Sequence, residues 1–158
     1  MDMKQNENII HIAGYASLFD REDLASDLVR KGAFSASLIS RSARDVRMLF
    51  QHDAAEPIGV WDSMREDHKG LFVQGRVFTD GPLGRTASAL IRRQAIDGLS
   101  IGFRTRRARK RAKVRELLEI ELWEVSIVTF PMLPQARLRV VNNVSGLVAN
   151  PVAVSLAS

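Results

Sequence analysis

Six short runs of aliphatic, aromatic and β-branched residues constrain this chain more than any other feature. They are NIIHIAGYA (8–16), VRMLFQ (46–51), IGVWDSM (58–64), LFVQGRVF (71–78), SIGFRTRRAR (100–109) and WEVSIVTF (123–130). Each is too short for a typical helix and rich in strand-forming residues, and turn-forming or charged residues separate most of them. REDHKG (65–70) between two of them reads as a hairpin turn. VRELLEIELWEVSIVTF (114–130) has mixed periodicity, but its β-branched second half predicts a long or broken strand. ARLRVV (136–141) is a short final element, and residues 17–31 read as a loop.

Only two segments read as helices. GAFSASLISRS (32–42) is short, whereas TDGPLGRTASALIRRQAIDG (79–98) is the clearer one. Thr79 or Asp80 is placed to cap it, Leu83, Ala87, Leu90, Ile91 and Ile96 approximate helical spacing, and Gly98 ends it. Many strands with two helices predict an α+β domain, a curled antiparallel sheet or barrel with flanking helices.

At 158 residues the chain fits one domain with a sizeable core. Residues 1–141 are expected to form it, with the uncharged 142–158 as a flexible or processed C-terminal tail. No apolar run reaches the roughly 18 residues of a membrane-spanning helix. The polar N-terminus lacks the pattern of a secretory signal. Absent cysteines exclude disulfides, thiol nucleophiles and thiolate metal sites. The formal charge of +5 is local in origin: RTRRARKRAKVR (104–115) carries eight basic residues and no acidic one. Without that cluster the chain holds 15 basic and 18 acidic residues, a net of −3. Such a cluster could bind phosphates, but it has no aromatic residue for base stacking and no nucleic-acid-binding motif. A solvated hairpin is the favoured reading, and docking to an acidic protein is another.

Three polar residues in or beside the apolar runs carry the candidate chemistry. His52 ends the run LFQH, Ser100 stands in GLSIG, and Glu124 interrupts LWEVSIV. A serine hydroxyl needs a base to become a nucleophile, histidine suits that role, and a carboxylate can fix the histidine tautomer. Of the other histidines, His11 reads as an outward-facing strand residue and His68 as part of an exposed turn. GLSIG matches the G-x-S-x-G pattern, yet the expected order is helix then strand, the reverse of a nucleophile elbow. Glu124 would share a strand face with Leu122, Ser126 and Val128, where a carboxylate needs a partner. A histidine, an arginine such as Arg104, or exposure at an edge would each satisfy it. Spacing alone leaves these alternatives open.

IAGYASLFD, GAF, LFQHD..EPIGVW, GLSIGF and LWEVSIVTFPMLPQA occur in that order between about Ile10 and Val140. In this the chain resembles the prohead (capsid maturation) serine proteases of tailed phages, which are related to the herpesvirus assemblins. The resemblance implies a herpesvirus-protease-like β-barrel with flanking helices. It implies His52 as the base and Ser100 as the nucleophile, with Glu124 where the assemblins use a second histidine. No cofactor, no metal and no membrane are expected. The implied partners are the major capsid protein, the scaffold protein, or both, and self-association can accompany activity. The implied setting is the host cytoplasm, inside the assembling procapsid. A non-enzymatic capsid assembly protein is the competing class. The chain departs from the family pattern after the glutamate motif, where Pro131, Met132, Leu133 and Pro134 replace the usual Pro-Ala-Asn. The oxyanion donors stay open among backbone N–H groups near Ser100, Arg104 and Arg137.

Overall fold

Every predicted apolar run is a strand in the computed structural model, which describes residues 8–142. The tail expected from residue 142 onward therefore lies, apart from Asn142, outside the described residues. In chain order the strands are β1 (Ile9–Leu18), β2 (Asp27–Val29), β3 (Arg47–Phe50), β4 (Gly59–Glu66), β5 (Gly70–Phe78), β6 (Gly98–Arg111), β7 (Val114–Val128) and β8 (Leu138–Val140). Two helices, α1 (Ser35–Ser40) and α2 (Pro82–Arg92), accompany them, with one 3₁₀ turn at Ala43–Asp45.

β7 organises the sheet. The segment with mixed periodicity is one continuous strand of 15 residues. It pairs antiparallel with β6 along one edge, while β2 and then β3 line the other edge in parallel. The order is β2-β7-β3-β4-β5-β1-β8, with β6 on β7. The sheet is thus mixed, which corrects the antiparallel expectation. α1 lies between β2 and β3, and a crossover of this kind is what lets two successive strands run in the same direction. Three register shifts interrupt the β6–β7 ladder, and such bulges bend and twist a strand pair. The curled sheet brings β8 toward the start of β6, where the Gly98–Arg137 bridge and the Leu99 N–H to Ala136 O bond (2.9 Å) join them. No continuous ladder closes that seam among the described residues, so the expected barrel is here an open, curled sheet.

Both helices are shorter than their patterns suggested. α2 begins after Gly81, which has no side chain to cap it, so neither Thr79 nor Asp80 stands at the cap position. Pro82 starts the helix instead, its fixed φ suiting the first turn. The helix stops at Arg92, and Gln94 takes a left-handed φ of 57°. Gly98, expected to end it, instead opens β6, where a Cβ would lie 2.8 Å from the Pro131 ring. α1 has only six residues. The chain before it is held by Glu66, whose carboxylate accepts the N–H groups of Gly32 (3.2 Å) and Phe34 (2.8 Å).

The core fills the inside of the curl with Phe34, Met48, Trp61, Leu71, Leu99 and Leu122, all fully buried. Trp61 satisfies its indole N–H on Val125 O at 3.2 Å, tying β4 directly to β7. The β4–β5 turn is locked by Asp67, which accepts the N–H groups of Lys69 (2.7 Å) and Gly70 (3.1 Å) and the Tyr15 hydroxyl. Burial works to raise the Asp67 carboxyl, but these hydrogen bonds outweigh it and hold it below the ordinary aspartate range. Burial, then the same hydrogen bond, pushes the Tyr15 phenol up. His68 stands exposed in this turn, and His11 is half-buried on the face opposite Ile10 and Ile12, as their sequence positions implied.

Candidate active site

The parallel pairing of β3 with β7 brings His52 to Glu124. Arg47 lies opposite Glu124 and Phe50 opposite Ile127, so the turn that follows β3 leaves the sheet beside β7. There Gln51 and His52 adopt φ values of 55° and 61°. The left-handed region costs a non-glycine residue about 1–2 kcal/mol, and two in succession need external support. Main-chain bonds supply part of it, from Gln51 N–H to Ile127 O (2.9 Å) and from Asp53 N–H to Phe50 O (3.1 Å). The Gln51 side chain supplies more, donating from Nε2 to Thr129 Oγ1 (2.6 Å) and accepting the Thr129 N–H on Oε1 (3.1 Å).

His52 Nδ1 is hydrogen-bonded to Glu124 Oε1. The histidine side chain is 46% exposed and the glutamate 13%, so the pair joins a shielded carboxylate to an accessible ring. Glu124 Oε1 also accepts the Ser126 hydroxyl at 3.2 Å. Of the partners open to Glu124 from the sequence, histidine is the one the fold provides; Arg104 forms no ion pair with it among the described residues. Room for the carboxylate comes from Gly102, its neighbour on β6. A Cβ there would sit 2.4 Å from Glu124 Cγ and 2.8 Å from Oε1, so any side chain at 102 would displace the glutamate. Next to this pairing, β7 carries one extra residue between Leu122 and Glu124, a bulge that exposes Trp123 beneath the Arg41 guanidinium (4.6 Å).

Ser100 pairs with Ser126 across the ladder, two residues along from the Gly102–Glu124 pair. Side chains two residues apart share a face, so Ser100, Ser126 and Glu124 point to the same side of the sheet. Ser100 is 7% exposed, and its hydroxyl has no hydrogen-bond partner among the described residues. All three residues singled out in the sequence thus converge on one end of the β6–β7 pair. His52 and Glu124 are in direct contact; Ser100 shares the face without a bond to the histidine. Ser126 was legible only as a face-mate of Glu124. Gly102 and the Gln51–Thr129 clamp were not legible, because each acts through a contact between strands distant in sequence.

The other candidates have structural partners. The Arg137 guanidinium is engaged by Asp97 Oδ1 (2.6 Å) and Pro134 O (2.8 Å). Residues 131–134 pack onto the start of β6 through Pro131 and bury Leu133. Within the basic cluster, Arg106 pairs with Glu121, Arg109 and Arg111 with Glu116, and Arg115 with Asp27. The Arg109 guanidinium, foremost among its neighbours, holds the Glu116 carboxyl below the ordinary range.

In class the molecule is an α+β protein with the fold of the herpesvirus proteases. It is similar to the protease of Kaposi's sarcoma-associated herpesvirus bound to a hexapeptide phosphonate inhibitor (TM-score 0.62, 12% identity, 94% of this chain and 72% of that chain). The bacteriophage T4 capsid assembly protease is similar as well (TM-score 0.60, 16% identity, 75% of this chain and 80% of that chain). Sequence then fixes the family: residues 1–148 match the model of the caudovirus prohead serine proteases, and the chain belongs to that family. The prohead protease of Enterobacteria phage HK97 is 34% identical over 140 residues, covering 85% of this chain. The chain spans 61% of the length of that relative.

Proposed function

We propose that the protein is a serine endopeptidase of phage capsid maturation, with Ser100 as nucleophile, His52 as general base and Glu124 as the orienting carboxylate. The observation that carries this reading is the His52 Nδ1 to Glu124 Oε1 contact, beside a serine on the same sheet face. With Nδ1–H donated to the carboxylate, Nε2 carries the lone pair. Nε2 takes the Ser100 proton as Oγ bonds to the scissile carbonyl carbon, and the carbonyl π electrons move onto oxygen. Collapse of that oxyanion breaks the C–N bond, and the imidazolium returns the proton to the departing amine. Water, deprotonated by the same Nε2, then attacks the acyl ester carbonyl, and the imidazolium returns that proton to Oγ as the C–Oγ bond breaks, releasing the acid and free Ser100. Glu124 stabilises the imidazolium at both steps without itself accepting the proton.

Family membership supports a substrate within the procapsid: the scaffold protein or a scaffold-like segment of the major capsid protein, and the protease itself. On this reading residues 1–141 are the protease domain, working inside the shell as it assembles in the host cytoplasm. Co-expression with the cognate capsid and scaffold proteins, followed by intact mass of every product, tests it. Wild-type chain should yield discrete cleaved species, and Ser100→Ala should lower their rate of appearance by on the order of 10⁴-fold or more. Unchanged processing by the Ser100→Ala protein would sink the nucleophile assignment.

A further inference from the structure

We propose that Gln51 is a positioning residue for His52, acting through its side-chain clamp on Thr129; this rests on the catalytic reading above. His52 stands on two consecutive left-handed residues, a backbone that relaxes unless neighbouring groups hold it. The β3–β7 ladder ends at the Phe50–Ile127 pair, one residue before the turn begins. Gln51 prolongs that pairing with its side chain. Its carbonyl oxygen accepts the Thr129 N–H and its amide N–H donates to the Thr129 hydroxyl, while its own backbone N–H donates to Ile127 O. An amide is the side-chain group that offers this donor and acceptor side by side.

The clamp matters because of which strand it grips. Thr129 directly follows β7, the strand that also carries Glu124. Gln51 therefore ties the backbone of the histidine to the same strand that holds its carboxylate. Rotation of the turn would carry the ring away from Glu124 and from the Ser100 face together. Exposure of both Gln51 and Thr129 argues against a role in the core, since neither contributes to its packing.

Gln51→Ala, Thr129→Val, Thr129→Ser and the Gln51→Ala/Thr129→Val double variant test this in the full chain. The substrate is a peptide spanning the bond that mass spectrometry identifies in the co-expressed capsid protein. Gln51→Ala should lower kcat about tenfold with KM within about twofold, since misplacement of a reacting group acts on the chemical step. Thr129→Val should lose somewhat less, Thr129→Ser should stay near wild type, and the double variant should be no slower than Gln51→Ala. The low-field Nδ1 proton of His52, followed by NMR on histidine-labelled protein, should broaden or move upfield in Gln51→Ala and persist in Thr129→Ser. A kcat for Gln51→Ala within about twofold of wild type together with an unmoved resonance would overturn the proposal, as would losses that simply multiply in the double variant. His52→Ala separates the two layers. If it cleaves like wild type the catalytic reading falls, while the His52 resonance in the Gln51→Ala and Thr129→Ser proteins still reports whether the clamp places the ring.

Discussion

The two ends of the β6–β7 hairpin are built from the same pair of strands and behave as different materials. At one end, residues 98–102 and 124–128 are largely buried, and polar side chains gather on one face: Ser126 on Glu124, Glu124 on His52, Ser100 beside them, with Gly102 leaving room for Glu124. At the other, residues 104–115 run out into solvent, and the positive charge meets Glu116, Glu121 and Asp27 on adjacent strands. The conspicuous cluster in the sequence is therefore half neutralised by its own fold, while the inconspicuous single residues gather at the candidate site. Burial is the difference. A lone carboxylate in a shielded position must have a partner, whereas eight cations in water need none.

Substitutions along the hairpin should show this contrast as a gradient of effect. At the buried end, Glu124→Gln should lower kcat by roughly 10²–10⁴-fold with the fold intact, by loss of the imidazolium's counter-charge and of tautomer control. A turnover within about threefold of wild type would remove Glu124 from the machinery. Gly102→Ala comes next. Its Cβ displaces Glu124 rather than core packing, so activity should fall about 10²-fold while Tm changes little. A large drop in Tm with proportionate activity would mean that the strand, not the carboxylate, has moved. At the exposed end, Arg106→Gln and Arg107→Gln should each change stability by less than about 1 kcal/mol, with any difference shrinking as salt is added. A loss of several kcal/mol there would break the comparison.

The smallest effect lies at another turn. Asp67 is held below its unfolded value, so its contribution is fully present above about pH 4 and is lost as pH falls through the folded value. Tyr15→Phe removes a hydrogen bond that stabilises the carboxylate. Urea titrations between pH 2 and 6 should show a shallower acid decline for this variant. An identical slope would mean that the Lys69 and Gly70 N–H groups suffice.

Much of this was legible from local pattern. The strand runs, the β4–β5 turn and the three candidate residues depend on side-chain periodicity and on polar residues in apolar company, both visible within ten residues. Parallel pairing of β2 and β3 with β7 was not, because that register is set by contacts between segments about 70 to 90 residues apart. Helix limits also differed: Pro82 sets the start after Gly81, and Gln94 turns left-handed before the apolar spacing runs out. The value of Gly102 emerges only with Glu124 beside it, since as a letter in GLSIG it could serve any close approach.

The parallel seating of β3 on β7 also sets a clock. During synthesis His52 emerges long before Glu124, and β7 must pair with β3 before the two side chains meet. Such long-range pairing closes late, after local hairpins such as β4–β5 have formed. A chain elongated only through β6 holds a serine and a histidine with nothing to align them. On the proposed reading, competence to cut would arrive only with the docking of that one late strand, and a partly made chain would be silent by topology alone.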